Sequence, residues 1–273
     1  MATTTSSAST TTAVTTTWAM TINGVTVPVE YPQNSQKQSI EFILAAPKVK
    51  AYFENINPKH ILVSKVTIFH HFMFGPHLGF VFMNLAATDK LTGKPLPGVV
   101  FLRGDAVACL TLVQNIETGE ISMLLLEQSR VPAGCKILEM NAGMVDEKLG
   151  QERLVMTKEA QEETGIVIES TGVKTDDPRK QFNFLEKLGK AGMSKGGCDE
   201  NITFFWYMVQ MTSEEITAMN GKHIVNEEGE TAEIIKLVMK KFTLANALST
   251  GDAKAMCAVA FLMEKYPGFI PLN

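Results

Sequence analysis

Residues 143–166 read GMVDEKLGQERLVMTKEAQEETGI, and the rest of the chain is best understood outward from them. Glu152–Thr164 contains no Pro or Gly and runs into Gly165, which predicts a helix with a glycine stop. On that helix Glu159, Glu162 and Glu163 stand at i, i+3 and i+4, so their carboxylates share about 100° of arc. Glu152, two turns earlier, is expected on the same face. Like charges at this spacing oppose helix formation by roughly 0.2–0.5 kcal/mol per pair. The only basic neighbour is Lys158, paired with Glu162. Clustered carboxylate oxygens suit a hard cation such as Mg2+, which takes phosphate oxygens as further ligands. The alternative is an acidic helix facing solvent, and charge taken alone favours it.

On either side of this helix the apolar pattern changes period. Ala106–Val113 and Ile121–Glu127 are apolar runs joined by Glu117-Thr118-Gly119, a predicted β-hairpin. Ile137–Met140, Ile166–Glu169, Ile202–Met211 and Ile234–Val238 read as further strands, and Ala253–Tyr266 as a closing helix. This order predicts an α+β fold, a mixed sheet sandwiched between helices. Upstream lies a smaller β-rich region: strand-like Met20–Val29, a helical stretch over Ser39–Ile56 that Pro47 begins or kinks, and a Phe-rich hairpin. The expected division is a disordered low-complexity tail over 1–17, a β-rich region over 18–98 and the catalytic domain over 99–273.

Other classes are set aside on composition. Val66–Thr88 carries no Asp, Glu, Lys or Arg and is long enough to span a bilayer. However, Phe72, Phe74, Phe80 and Phe82 alternate around Gly75-Pro76, which predicts two strands and a turn, so no membrane association is expected. The Thr/Ser/Ala-rich start has neither the basic end nor the apolar core of a secretory signal. A net charge of −4 argues against a nucleic-acid partner. Cysteines at 109, 135, 198 and 257 are too far apart for a zinc knuckle or redox pair, which predicts reduced thiols and an intracellular protein, in the cytoplasm rather than an organelle. His70, His71 and His77 have no carboxylate or thiol at ligand spacing and are expected to be structural.

The 143–166 segment resembles the Nudix box, G-x5-E-x7-R-E-U-x-E-E-x-G-U with U apolar. Lys158 to Ile166 follow its second half, with lysine in place of the box arginine. Gly143 supplies the leading glycine after one extra residue, and Gly150 stands where the first box glutamate is expected. Val100–Gly104, Glu127–Pro132, Leu138–Gly143, Gly196–Glu200, Ala46–Lys50 and Met73–Gly75 resemble the ADP-sugar diphosphatase branch of that family. Asn141 departs from it, since that branch usually has proline there.

The resemblance implies hydrolysis of the diphosphate in nucleoside diphosphate sugars, ADP-ribose or ADP-glucose first, with Mg2+ as cofactor and Mn2+ as its alternative. It implies Glu159, Glu163, Glu162 and the Ala142 carbonyl as metal ligands, with Glu162 also in a catalytic role. Glu230, in the acidic loop 226–233, is implied as general base. Arg130 and Arg103 are implied as substrate contacts, and Gly196-Gly197 as a place where backbone approaches ligand. A homodimer is the common assembly of that branch. Lys158 and the absent box glutamate keep a non-catalytic nucleotide-binding module open, and a dinucleotide such as NADH, or coenzyme A, is a further candidate substrate.

Overall fold

The computed structural model describes residues 17–31, 37–145, 152–168, 172, 174–228 and 231–271. The chain divides into two compact units, Met1–Arg103 and Gly104–Asn273.

Unit 1 contains β1 (Thr17–Ile22), β2 (Val25–Glu30), α1 (Lys37–Ala45), α2 (Pro47–Glu54), β3 (Ile61–Phe74), β4 (His77–Asp89), β5 (Pro95–Leu96) and β6 (Val99–Leu102). Its sheet runs β1-β2-β3-β4-β5, and β6 also pairs with β4. The single strand expected over Met20–Val29 is in fact a hairpin. Asn23 and Gly24 take φ of 51° and 80°, the successive positive values that a tight two-residue turn demands. Ala46 is extended (φ −61°, ψ 132°), as a residue before proline prefers, and Pro47 opens α2. The uncharged stretch 66–88 is the β3–β4 hairpin, turning at Gly75. Its Val66, Ile68, Val81 and Met83 pack with Ile40, Ile43, Val49 and Phe53 in one core. Among the described residues, no helix is long and apolar enough to cross a membrane. His71 Nδ1 shares a 2.6 Å hydrogen bond with the Tyr31 hydroxyl, and the His70 ring meets Phe72 edge-on. Most of the expected disordered tail lies outside the described residues, but Thr17 belongs to β1, opposite Glu30.

Unit 2 contains β7 (Ala106–Asn115), β8 (Ile121–Arg130), β9 (Cys135–Glu139), β10 (Asn141–Met144), α3 (Glu152–Thr164), β11 (Glu186–Ala191), β12 (Ile202–Met211), α4 (Ser213–Met219), β13 (His223–Glu228), β14 (Thr231–Lys241), α5 (Leu244–Leu248) and α6 (Ala253–Lys265). The sheet runs β11-β12-β7-β8-β14-β13, with β10 on β7 and β9 on β8. The central β7–β12 pair is parallel and its neighbours are antiparallel, so the sheet is mixed. Alternation sends Leu110, Leu112, Phe204 and Trp206 to one face, against Ala255, Val259 and Leu262 of α6. Val107, Cys109, Phe205 and Tyr207 go to the other face, against Val155, Met156 and Ala160 of α3. Both faces are covered, which is why β7 is buried along Ala106–Val113 without a polar side. The α+β class, a mixed sheet between helices, is the one expected from the sequence.

Three local expectations change. Ile166 and Ile168 are buried two residues apart, as in a strand, yet the segment has no ladder partner among the described residues and is extended loop. The strands β11 and β13 were hidden by charge. Within β11, a Cβ at Gly189 would meet the Phe261 ring of α6 at 2.7 Å, so the glycine serves helix-on-strand contact.

Glu186 ties β11 to its surroundings. One oxygen faces Lys174 (2.8 Å) and Lys265 (2.7 Å), and the other accepts from Gln181 (3.0 Å), Trp206 Nε1 (2.8 Å) and the Tyr266 hydroxyl (2.8 Å). Burial by itself would raise its pKa, but these hydrogen bonds hold it well below the usual carboxylate range. A depressed acid contributes stability above its unfolded value and loses it as pH falls. Both lysines are partly exposed and can return to water, so Glu186→Gln is expected to cost about 2 kcal/mol at neutral pH. The deficit should narrow below pH 4.5, the ordinary value for this group, when urea unfolding of the two proteins is compared.

Candidate active site

The residues that α3 buries against the sheet are Val155, Met156 and Ala160, and the same stripe continues to Glu163. A position that helix packing would fill with an apolar side chain therefore holds a carboxyl group, 3% exposed. Its Oε2 accepts from the Asn141 side-chain amide and from the Ala142 backbone N–H at 3.3 Å. Burial first, and then the charge of Glu159, push its pKa up to about 8, against the pull of those two donors.

β10 supplies the facing wall. Its pairing with β7 sets Asn141, Ala142 and Gly143 opposite Cys109, Ala108 and Val107. The Asn141 amide also donates to the Glu159 carbonyl at 3.2 Å, which fastens β10 to α3. The Asn141 Oδ1 is buried and has no hydrogen-bond partner among the described residues. A Cβ on Gly143 would lie 2.1 Å from the Glu159 carboxyl carbon, so this glycine makes the space that Glu159 occupies.

The other acidic residues of the helix go elsewhere. Glu162 is on the exposed side, where Lys158 Nζ lies 3.4 Å away, the expected pairing. Glu152 does not join the Glu159–Glu163 face. The first turn of α3 overlies the β11–β12 edge, where Thr203 donates to Glu152 Oε1 and Lys187 to Oε2, each at 2.6 Å.

Arg130, at the end of β8, donates from Nε to Glu139 Oε1 at 2.7 Å, and its Nη1 lies 3.5 Å from Glu233. Burial would lower its pKa, but the charge and hydrogen bond of Glu139, together with the charges of Glu233 and Glu163, raise it. Arg130, Glu163 and Glu233 thus sense one another's charge. Sequence reasoning assigned nothing to Asn141, Glu139 or Lys254. Alternation along β9 and β10 was the only signal for Glu139 and Asn141, and Lys254, on α6, had none.

The segment 226–233, expected to be an acidic loop, is largely a hairpin: β13 pairs with β14 through Glu228↔Thr231. The β-branched pairs Ile224-Val225 and Ile234-Ile235, facing each other on the two arms, favour a ladder over a loop. Glu230 itself lies outside the described residues. Gly196 and Gly197 have open space around an added Cβ, so local packing does not demand glycine at either position. Arg103 ends unit 1, its guanidinium 5.7 Å from the centre of the Phe80 ring.

Among the described residues, no group of three or more His, Cys, Asp or Glu side chains converges on a metal position. What α3 and β10 bring together is a pair of carboxylates, Glu159 and Glu163, with the orphaned amide oxygen of Asn141. That donor set fits a hard, oxygen-seeking cation: a buried and a half-buried carboxylate repel each other and a neutral oxygen lacks a partner.

The raised acid has a measurable consequence in metal-free protein. A carboxyl group whose folded pKa exceeds its unfolded value stabilises at low pH and loses that stability as pH rises through the folded value. Between pH 4.5 and about 8, Glu163 should therefore make the folded state progressively less stable. Glu163→Gln should melt at a similar temperature to wild type near pH 5 and several degrees higher near pH 8.5, in EDTA. Parallel melting curves across that range would show that Glu163 ionises normally.

Comparison with known proteins follows the same direction. No protein-family model matches the chain. The chloroplastic Nudix hydrolase 14 of Arabidopsis thaliana is 34% identical over 190 residues, 68% of this chain and 58% of that protein. The chain thus spans less than two thirds of that relative's length. That relative is named as chloroplastic, which lends no support to the cytoplasmic placement expected from the sequence. A crystal structure of an ADP compounds hydrolase aligns with 74% of this chain and 95% of its own, at 15% identity and a TM-score of 0.46.

Proposed function

The chain is a homologue of a Nudix hydrolase, and from that premise we propose that it splits the diphosphate of nucleoside diphosphate sugars, ADP-ribose or ADP-glucose foremost, into nucleoside monophosphate and sugar phosphate. The observation that carries this reading is the Glu159–Glu163 carboxylate pair on α3, with Glu163 buried and Glu159 half-buried, set beside the unpartnered Asn141 oxygen. Unit 2 is the hydrolase domain in this reading.

Glu159, Glu163 and the Ala142 carbonyl hold a divalent cation, Mg2+ or Mn2+, with Glu162 as a water-mediated partner. When bound, such a cation neutralises diphosphate oxygens and lowers the pKa of a coordinated water. Arg130 takes a phosphate oxygen through its guanidinium, and Arg103 is a second substrate contact. The Gly196-Gly197 backbone lets ligand approach closely. Glu230 accepts the proton of the attacking water. Glu233 is the alternative base, and its placement near both Arg130 and Glu163 supports it. Assembly as a homodimer belongs to the same proposal.

Incubation with Mg2+ and a panel of ADP-ribose, ADP-glucose, UDP-glucose, NADH and coenzyme A is the direct test. AMP should form fastest from an ADP-sugar. The absence of nucleoside monophosphate from every substrate would leave a nucleotide-binding module. Gly143→Ala probes the metal position without touching a ligand side chain. Its methyl group displaces the Glu159 carboxylate, and a misplacement of that order should lower kcat/KM by about 100-fold while Tm moves by only a few degrees. Wild-type turnover in this variant would remove Glu159 from the site.

A further inference from the structure

Beside the carboxylate pair lies a second polar group that the proposed reaction does not use. Glu139, at the end of β9, is 3% exposed and accepts hydrogen bonds from three directions. Oε1 receives Gln128 Nε2 at 3.0 Å and Arg130 Nε at 2.7 Å, and Oε2 receives Lys254 Nζ at 2.8 Å. Lys254 is in turn 3.2 Å from Asp252 Oδ1, and Asp252 Oδ2 accepts the backbone N–H of Met140 at 3.0 Å. The start of α6 is thereby bolted to the end of β9 on both sides of the Glu139–Met140 peptide.

The geometry of the arginine contact is informative. An ion pair formed only for stability is strongest end-on, with two parallel bonds from the guanidinium to both carboxylate oxygens. Here a single edge nitrogen, Nε, meets a single oxygen. That contact fixes the plane of the guanidinium and leaves its Nη pair for another anion. The Arg130 side chain is 35% exposed and that of Glu139 4%, so a buried carboxylate holds a partly open arginine. Nη1 points to Glu233, an exposed carboxylate at 3.5 Å, the outer limit of a hydrogen bond. A weakly held anion already faces this edge of the guanidinium.

We propose that Glu139 is a positioning residue, pinned by Gln128 and Lys254, that presents the Nη edge of Arg130 to the diphosphate of the substrate. The inference rests on the reading of Arg130 as a substrate contact. A free arginine side chain loses rotamer entropy when it is fixed against a ligand. Pinning it before the ligand arrives moves that loss from binding to folding, so the effect falls on affinity.

The test is a double-mutant cycle read as the affinity of metal-free protein for ADP-ribose, by calorimetry, alongside Tm. Arg130→Ala should weaken binding by 10-fold or more, and Glu139→Gln by about 10-fold. The double variant should bind no worse than Arg130→Ala alone, because without the arginine there is nothing to position. Glu139→Gln leaves Lys254 facing an amide and loses Tm. Adding Lys254→Met removes the buried cation that has lost one of its two carboxylate partners, so Tm should recover in part while affinity stays low, which a merely structural glutamate would not produce. If Arg130→Ala weakens binding while Glu139→Gln binds like wild type, or if the two penalties add, Glu139 does not position Arg130 and the proposed function stands. If Arg130→Ala binds like wild type, the substrate contact is itself misassigned and the inference fails with it.

Discussion

A charged residue on the packing face of a helix is the constraint around which unit 2 is arranged. The stripe that anchors α3 to the sheet runs Val155, Met156, Ala160 and then Glu163. Ionising a carboxyl group there means removing a charge from water next to a second carboxylate, Glu159, and the folded protein resists it. Such a position survives only if the surrounding structure fixes it by other means. The means are visible: ten residues of continuous pairing between β7 and β12, two apolar faces closed by α3 and α6, and β10 laid against the helix by the Asn141 amide.

The remaining polar groups of the region follow from that placement. β10 approaches α3 so closely that Gly143 gives its side-chain volume to Glu159. The next strand pair, β8 with β9, presents Arg130 and Glu139 beside the same acids, which makes the positive charge of Arg130 valuable and its orientation worth fixing. The hub at Glu186 does comparable work at the other edge of the sheet, but its donors outnumber its needs and its carboxylate stays ionised. Two buried carboxylates in one domain thus shift in opposite directions. The difference is donor count: cations and N–H groups converge on Glu186, whereas Glu163 has one amide, one backbone N–H and a hostile neighbour.

Period and punctuation carried most of the fold in the sequence. The helix over Glu152–Thr164 was legible because nothing breaks it before Gly165, and β7, β8 and β12 because their apolar runs are long. The β1–β2 hairpin was missed although Asn23-Gly24 signals it, since the flanking strands are short and alternate weakly. β11 and β13 were missed because their sides bear charges that a strand at the edge of a sheet can keep in water. At the site, spacing along one helix placed Glu152, Glu159, Glu162 and Glu163 on one face, and of these only Glu159 and Glu163 face β10 together. It could not show that Glu152 is claimed by Thr203 and Lys187, or that Glu139 and Lys254 meet, because those pairs are separated by many residues and only the sheet joins them.

Lys158, which departs from the box, and Asn141, which departs from the branch, are connected through this geometry. Lys158 engages Glu162 on the exposed side of α3 and reaches no buried carboxylate among the contacts of the described residues. An arginine fork could grip two acceptors at once; a lysine is one mobile charge. Restraint of the carboxylate pair therefore comes from the opposite wall, where Asn141 donates to Glu163 and to the Glu159 carbonyl. A proline at 141 would offer neither bond, since it has no side-chain donor. The amide favours the ionised form of Glu163, opposing burial and Glu159, and its own oxygen is left without a partner. The site has thus moved one of its supports from helix to strand. The helix carries the charges, and β10, held in register by β7, keeps them in place.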